Sequence, residues 1–481
     1  MNHPALLLAF CLLVFGFPPY STRAAATKPN ILFIFADDLG WGDLGCYGHT
    51  LVKTPNLDRL AQQGTLFTHF YVNASVCSPS RTAFMTGQYP ARHRVHGHFA
   101  THEQNAARDM PNWLDPQATT LPRLLQQAGY ATAHFGKWHL GSGQGAPEPK
   151  AYGFQETRTL NANGPTWEEA DISFRAKSTA AFVDETLRFI KANKDKPFYV
   201  NLWTLLPHAT LNPTEEQMQP YERLGPGGKG FPHKGAAQIF YASVTDLDTQ
   251  VGRLLKGLEE LGVAENTLIL FSSDNGPEDI HIGNASHSGI GSAGPFRGRK
   301  RSLYEGGIRV PGIVRWPGKV PAGRIEEEAI VSGVDWLPTV CKLAGVPVPK
   351  ELKLDGEDMS AALLGQSSAR TKPLMWEWRF RIAGEPFHQS PQLAIREGQW
   401  KLLMNPDRSR VELYDVKQDL VQLNNLSAKH PDVVERLSQQ VLAWQKELPA
   451  GRIDPGAGQM NLPWPGKKPV AAPAGKGKKS K

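Results

Sequence analysis

Cysteine is scarce in this chain, with 4 in 481 residues. That scarcity excludes a disulfide framework, and a chain of this length can bury a sizeable core without one. Long hydrophobic runs are equally rare. Only Ala5–Phe17 is uncharged and apolar throughout, too short for a comfortable membrane span, and Ala24-Ala25-Ala26 follows it with small residues suited to cleavage. Residues 1–26 therefore read as a signal peptide, with the mature chain exported (periplasmic or secreted) and carrying no stable membrane anchor. Net charge is the third shortage. The formal +7 comes from 53 Lys and Arg against 46 Asp and Glu, and six of those lysines crowd into residues 467–481, leaving the body near +1. A nearly neutral body excludes the basic footprint of a nucleic-acid binder. The Pro/Gly/Lys-rich stretch 451–481 cannot bury a core and is expected as a disordered tail.

Beyond the leader three cysteines remain, Cys46, Cys77 and Cys341. An odd count in an exported chain leaves at least one free thiol, and pairing of Cys46 with Cys341 stays open. Cys77 stands apart because of its neighbours. In Ser75-Val76-Cys77-Ser78-Pro79-Ser80-Arg81 small residues leave the backbone accessible, Pro79 fixes a turn, and Arg81 can return positive charge to the sulfur. Two readings stay open here, an exposed and activated thiol or, as is more usual for such a cysteine, a buried or disulfide-bonded one followed by a helix.

Apolar strands alternate with amphipathic helices over most of the chain. Strands are expected at Asn30–Ala36, Tyr130–Phe135, Phe198–Thr204, Leu268–Ser272 and Ile308–Trp316. Helices are expected at Thr54–Gly64, Leu121–Gly129, Ser178–Ala192, Ile239–Leu261 and Trp336–Ala344. Such alternation predicts an α/β sandwich, a large mostly parallel sheet between helices, over residues 27–365. From 366 to 450 the pattern changes to short strands (Leu374–Trp378, Leu393–Arg396, Trp400–Met404, Glu412–Asp415) and a helix, Pro431–Glu447, as in a small antiparallel subdomain.

In open parallel sheets ligands bind beyond the carboxyl ends of the strands. Four strands deliver reactive residues there: Asp37-Asp38, Lys137 and His139, His208, and Asp274-Asn275. Each has a structural reading as a cap, turn or surface residue. Together, the adjacent acids repel one another unless a cation relieves them. Asp37, Asp38, Asp274 and Asn275 form an all-oxygen set suited to Ca2+ or Mg2+ rather than zinc. His93, His96, His98 and His102 form a histidine-rich stretch, read as a loop at the substrate mouth or a plain surface loop. Trp203, Trp376 and Trp378 are open to two readings, sugar-stacking or core.

These motifs, in this order, resemble the formylglycine-dependent sulfatases (arylsulfatase and N-acetylgalactosamine-6-sulfatase-like) on the alkaline-phosphatase-like fold. Cys77-Ser78-Pro79-Ser80-Arg81 with Thr86-Gly87 matches the maturation signature, and Gly136-Lys137-Trp138-His139-Leu140-Gly141 the second signature. Asp37-Asp38-Leu39-Gly40, Asp274-Asn275-Gly276 and Lys300 before Tyr304-Glu305-Gly306-Gly307 also fit. The resemblance implies that a formylglycine-generating enzyme oxidises Cys77 to formylglycine (3-oxoalanine). It implies Ca2+, with Mg2+ second, on Asp37, Asp38, Asp274 and Asn275. It further implies catalytic roles for Arg81, Lys137, His139, His208 and Lys300 toward a sulfated carbohydrate or an aryl sulfate. The rivals are a phosphate or phosphonate ester hydrolase of the same superfamily and a non-catalytic sulfated-glycan binder.

Overall fold

The computed structural model describes residues 28–167, 174–226, 235–283 and 285–460. The expected signal peptide and residues 461–481 of the expected tail lie outside them. The central sheet has eight strands. From edge to edge they are Glu156–Leu160, Ala131–Lys137, Phe198–Trp203, Asn30–Ala36, Thr267–Ser273, Gly312–Arg315, Thr65–Phe67 and Arg324–Glu326. All pair in parallel except Gly312–Arg315, which runs antiparallel to both neighbours. This is the mostly parallel sheet the sequence predicts.

The middle strand shows why the chain folds around it. Ile31, Phe33 and Phe35 point into one buried cluster, while Leu32, Ile34 and Ala36 point into another. Side chains alternate across a strand, so a continuous apolar run has two faces to bury. Helices Phe174–Asn193 and Ala236–Glu260 cover the second face. Cys77–Thr86, Leu121–Gln127 and Trp336–Ala344 cover the first.

The four-stranded antiparallel sheet spans Leu374–Glu377, Leu393–Glu397, Trp400–Met404 and Val411–Asp415, with helix Pro431–Lys446 after it. It meets the main body through buried charge. Lys401 Nζ donates to Glu305 Oε1 at 2.7 Å, Tyr71 donates to Glu305 Oε2 at 2.5 Å, and Arg396 donates to Tyr71 and to His69 Nδ1.

Two expectations change, and the pairing left open is decided. The stretch 308–316 is not one strand: Glu305–Ile308 forms a helical turn and the strand is Gly312–Arg315, after Pro311. Cys46 and Cys341 do not pair, because they pack in the clusters on opposite faces of the sheet. Residues 451–460 do not behave as a loose tail. The Arg452 backbone N–H donates to Asp109 and that of Asp454 to the Arg379 carbonyl, while Gly458 accepts from Asn405 and Arg410.

Candidate active site

The parallel register sets four strand ends level. Ala36 lies opposite Ser273 and Phe35 opposite Trp203, which in turn lies opposite Gly136. Asp37-Asp38, Asp274-Asn275, Lys137 and the loop carrying His208 therefore converge on one rim. Gly136 is required there: its φ is +109°, and a Cβ would sit 1.9 Å from the Trp203 carbonyl oxygen.

Cys77 enters from the side. It is the first residue of helix Cys77–Thr86, and all ten residues of that helix are buried, so of the two readings the buried cysteine opening a helix holds. Polar residues tolerate this burial because they are satisfied locally. Ser80, Thr82 and Thr86 hydroxyls donate to the carbonyls of Ala74, Ser78 and Thr82, and Ser78 Oγ accepts from the Phe99 N–H. The helix closes on Gly87 at φ +67°. The helix start lies near enough to the rim for the Cys77 side chain to act on Arg81, Asp274 and Lys300, and a helix N-terminus favours anions.

The rim is a fully buried charge network. Lys137 Nζ donates to Asp37 Oδ2 at 2.6 Å. Lys300 Nζ reaches both Asp38 oxygens at 2.6 and 2.7 Å. Arg81 donates to Asp274 Oδ2 at 2.7 Å and stands 3.6 Å from Asp37 Oδ1, its guanidinium 5.0 Å from the Trp203 ring centre. Asp274 Oδ1 accepts from the Asp38 backbone N–H at 3.1 Å, and Asn275 Nδ2 donates to Asp38 Oδ1 at 2.7 Å. Burial alone would push these carboxyls up. For Asp37, Lys137, His208, Arg81 and Lys300 outweigh it and hold the carboxyl well below its ordinary value, and for Asp38, Lys300 and His208 outweigh it and lower the carboxyl. Asp274 goes the other way, because burial and the neighbouring Asp37 charge outweigh Arg81. Lys300 is raised against burial by Asp38 and Glu278.

His139 and His208 complete the rim, and each has one ring nitrogen committed. His139 Nε2 donates to the Phe99 carbonyl at 3.0 Å, leaving Nδ1 bare, and burial followed by Lys137 and Arg81 pushes its pKa down to about 3. His208 Nδ1 donates to the Ala209 carbonyl, so Nε2 turns toward Asp38 Oδ2 at 3.8 Å. Every expected site residue is thus brought together.

Of the histidine-rich stretch only His98 approaches the site, its ring 6.3 Å from that of His139. His96 pairs with Glu377, His93 with Gln88, and His102 packs near Trp113, so the four do not converge. Trp203 and Trp376 are core residues, whereas Trp378 borders a cleft beside the site.

Two residues escaped the sequence reading. Glu278 receives both Arg301 guanidinium nitrogens and stands 3.7 Å from Lys300 Nζ, so it orients both cations. An acid beside the Asn275-Gly276-Pro277 turn was its only signal. Asp43 accepts the N–H groups of Gly40 and Ser292, tying the loop after Asp38 to the loop before Lys300. Burial pushes its carboxyl up to about 7 against those two amides.

The donor set fits a hard cation. Asp37 Oδ1 and Asn275 Oδ1 are buried acceptors with no hydrogen-bond partner among the described residues, and unsatisfied buried oxygens are rare in folded chains. Asp37, Asp38 and His208 also present ligand atoms within 4.8 Å of one another. Carboxylate and amide oxygens around orphaned acceptors suit Ca2+ or Mg2+.

Residues 29–346 match the family described as Sulfatase, and residues 294–447 match N-sulphoglucosamine sulphohydrolase, C-terminal. The chain is 35% identical over 387 residues to N-acetylgalactosamine-6-sulfatase of Canis lupus familiaris, covering 74% of this chain and 69% of that protein. It is 33% identical over 402 residues to human arylsulfatase A, covering 79% and 75%. A solved structure, Ps i-CgsB in complex with k-i-k-neocarrahexaose, superposes with a TM-score of 0.74 at 27% identity over 88% of this chain and 94% of that one. A rim of paired lysines, a buried arginine and an oxygen-ligand set is thus carried on a fold and sequence shared with these enzymes, and the chain belongs to the sulfatase family, a hydrolase of sulfate esters.

Proposed function

We propose that this sulfatase acts on a sulfated carbohydrate in an exported compartment. In this reading a maturating enzyme converts Cys77 to formylglycine, and Asp37, Asp38, Asp274 and Asn275 hold Ca2+. The observation that carries the reading is the convergence at one buried rim of the Cys77 helix start, Arg81, two lysines and an oxygen set with two orphaned acceptors.

When bound, Ca2+ would supply Lewis-acid neutralisation of a sulfate oxygen. Formylglycine at position 77 would supply a hydrated aldehyde, a nucleophile with two hydroxyls on one carbon. The chain's own groups account for the remainder. Four carboxylates (Asp37, Asp38, Asp274, Glu278) face four fixed cations (Arg81, Lys137, Lys300, Arg301), so the bare rim is formally balanced. Added divalent charge tips the balance toward an anionic substrate. Lys137 and Lys300 hold the sulfate oxygens, and Arg81, fixed by Asp274 and Trp203, holds the Cys77-derived group. His139 receives a proton at Nδ1, the nitrogen left bare by Phe99. His208, with Nδ1–H on the Ala209 carbonyl, delivers a proton to the leaving oxygen from Nε2 as the imidazolium and is left neutral; burial opposes that charged form, pulling the ring down to about 4, and the Asp37 and Asp38 carboxylates favour it.

Parallel turnover of an aryl sulfate, an aryl phosphate and a panel of sulfated saccharides tests this. Preference for the sulfate esters, with desulfation of at least one saccharide, is expected. A preference for phosphate esters would overturn the sulfate assignment, and saccharides left intact beside a hydrolysed aryl sulfate would overturn the carbohydrate assignment.

A further inference from the structure

A cleft of about 470 Å³ lies against the rim and is not used by the groups that handle the sulfate. His98, Arg108, Arg301, Trp378, Arg381 and Arg452 line it, with Phe380 beside Trp378 and Asp454 as the single carboxylate. It is continuous with the catalytic residues. Arg301 follows Lys300 in the chain and its backbone N–H donates to the Ser75 carbonyl, two residues before Cys77, while His98 faces His139.

The charges in the cleft are unequal. Arg301 is occupied by Glu278. Asp454 is occupied by its own turn, where it accepts the Gly456 N–H at 2.7 Å. Arg108 donates to the His98 carbonyl at 3.2 Å and lies 5.6 Å from the Phe380 ring centre, and Arg452 donates to the Ala107 carbonyl at 3.2 Å. Among the described residues no carboxylate pairs with Arg108, Arg381 or Arg452. Three guanidinium groups from three separate segments thus surround one concavity next to aromatic surface, with Asp454 the single carboxylate lining it and ion-paired to none of them. Like charges repel, so the arrangement is stabilised when an anion enters, and guanidinium geometry matches the paired oxygens of carboxylate or sulfate.

We infer that this cleft is a second anion subsite, and that the preferred substrates are saccharides bearing a further carboxylate or sulfate on the sugar next to the scissile sulfate. The inference rests on the sulfatase reading and specifies its substrate class. The sugar beside the scissile one lies against Trp378 and Phe380, and its anionic group meets Arg108, Arg381 and Arg452. The segment 451–460 has a function on this account, since it carries one of the three arginines to the cleft.

The test uses disaccharides with one scissile sulfate and a neighbour that is neutral, carboxylated or sulfated. Their kcat/KM values are compared in the wild type and in Arg108→Gln, Arg381→Gln and Arg381→Gln/Arg452→Gln. The wild type should favour an anionic neighbour over the neutral one by about tenfold or more, the scale of a charge-assisted hydrogen bond. Each single variant should lower that ratio several-fold, mainly through KM, and the double variant should bring it near one. Comparison of the carboxylated and sulfated arms identifies which anion the cleft prefers. A ratio near one in the wild type, or a ratio that survives the double substitution, overturns the inference. Binding of the same disaccharides to Cys77→Ala protein, followed by calorimetry, reads the cleft independently of turnover. If no sulfate ester is hydrolysed by the wild type, the proposed function fails, and the binding ratio still decides the subsite.

Discussion

Replacing Lys300 by Met would remove the cation from Asp38 while keeping most of the aliphatic stem. Asp38 is buried, and Lys300 supplies two of the three side-chain hydrogen bonds its carboxylate receives, the third coming from Asn275. Breaking a buried pair from one side costs about 3–5 kcal/mol, because the remaining charge stays desolvated. At about 2 °C per kcal/mol, the lower end of the range for large domains, the variant should melt roughly 6–10 °C below wild type in chelator. A divalent cation on Asp37, Asp38, Asp274 and Asn275 would replace the missing counter-charge, so adding Ca2+ should at least halve that difference. Thermal unfolding of both proteins by circular dichroism, with chelator and with Ca2+, measures both quantities. Equal melting temperatures in chelator would refute the charge argument. A difference that Ca2+ leaves untouched would refute the metal assignment.

Two further outcomes concern histidines. His208→Ala should slow esters of poor alcohol leaving groups at least tenfold more than activated aryl sulfates, which need no proton on the departing oxygen; equal losses in a leaving-group series would remove His208 from that role. Burial, then Arg309 and Arg396, hold His69 neutral with a pKa near 2, and its Nδ1 is already occupied by Arg396. Below pH 6.5 the unfolded chain takes up a proton there that the fold does not, so stability should fall with acid by up to about 1.4 kcal/mol per pH unit from this site. His69→Gln should flatten that limb in urea titrations between pH 6.5 and 4.5, and an unchanged slope would count against it.

Much of the architecture was legible because its signals are periodic and long. Asn30–Ala36 could only be a strand buried on both faces, and the four short C-terminal strands read correctly from their turns. Short edge strands such as Thr65–Phe67 and Arg324–Glu326 carry too few residues to show a period, and their pairing partners define them. The break at Pro311 was hidden inside an apolar stretch. At the site, the residue types at strand ends were readable, and the parallel register then did what the sequence predicted by placing Asp37, Lys137, His208 and Asp274 together. Local sequence could not fix the exposure of Cys77, because small residues suit a tightly packed helix as well as an open turn, and the fold selects the buried reading. Glu278 and residues 451–460 were missed for one reason: their partners lie far away in sequence or, as with Arg301, matter only through the fold.

The central claim is that the working nucleophile is made from Cys77 and is not a thiol. Mass analysis of the peptide spanning residues 77–81, taken from protein that hydrolyses an aryl sulfate, tests it most directly. The account predicts the mass decrease that replaces the CH2SH side chain by an aldehyde, in proportion to activity across preparations. Full activity in protein whose Cys77 retains its thiol would contradict it.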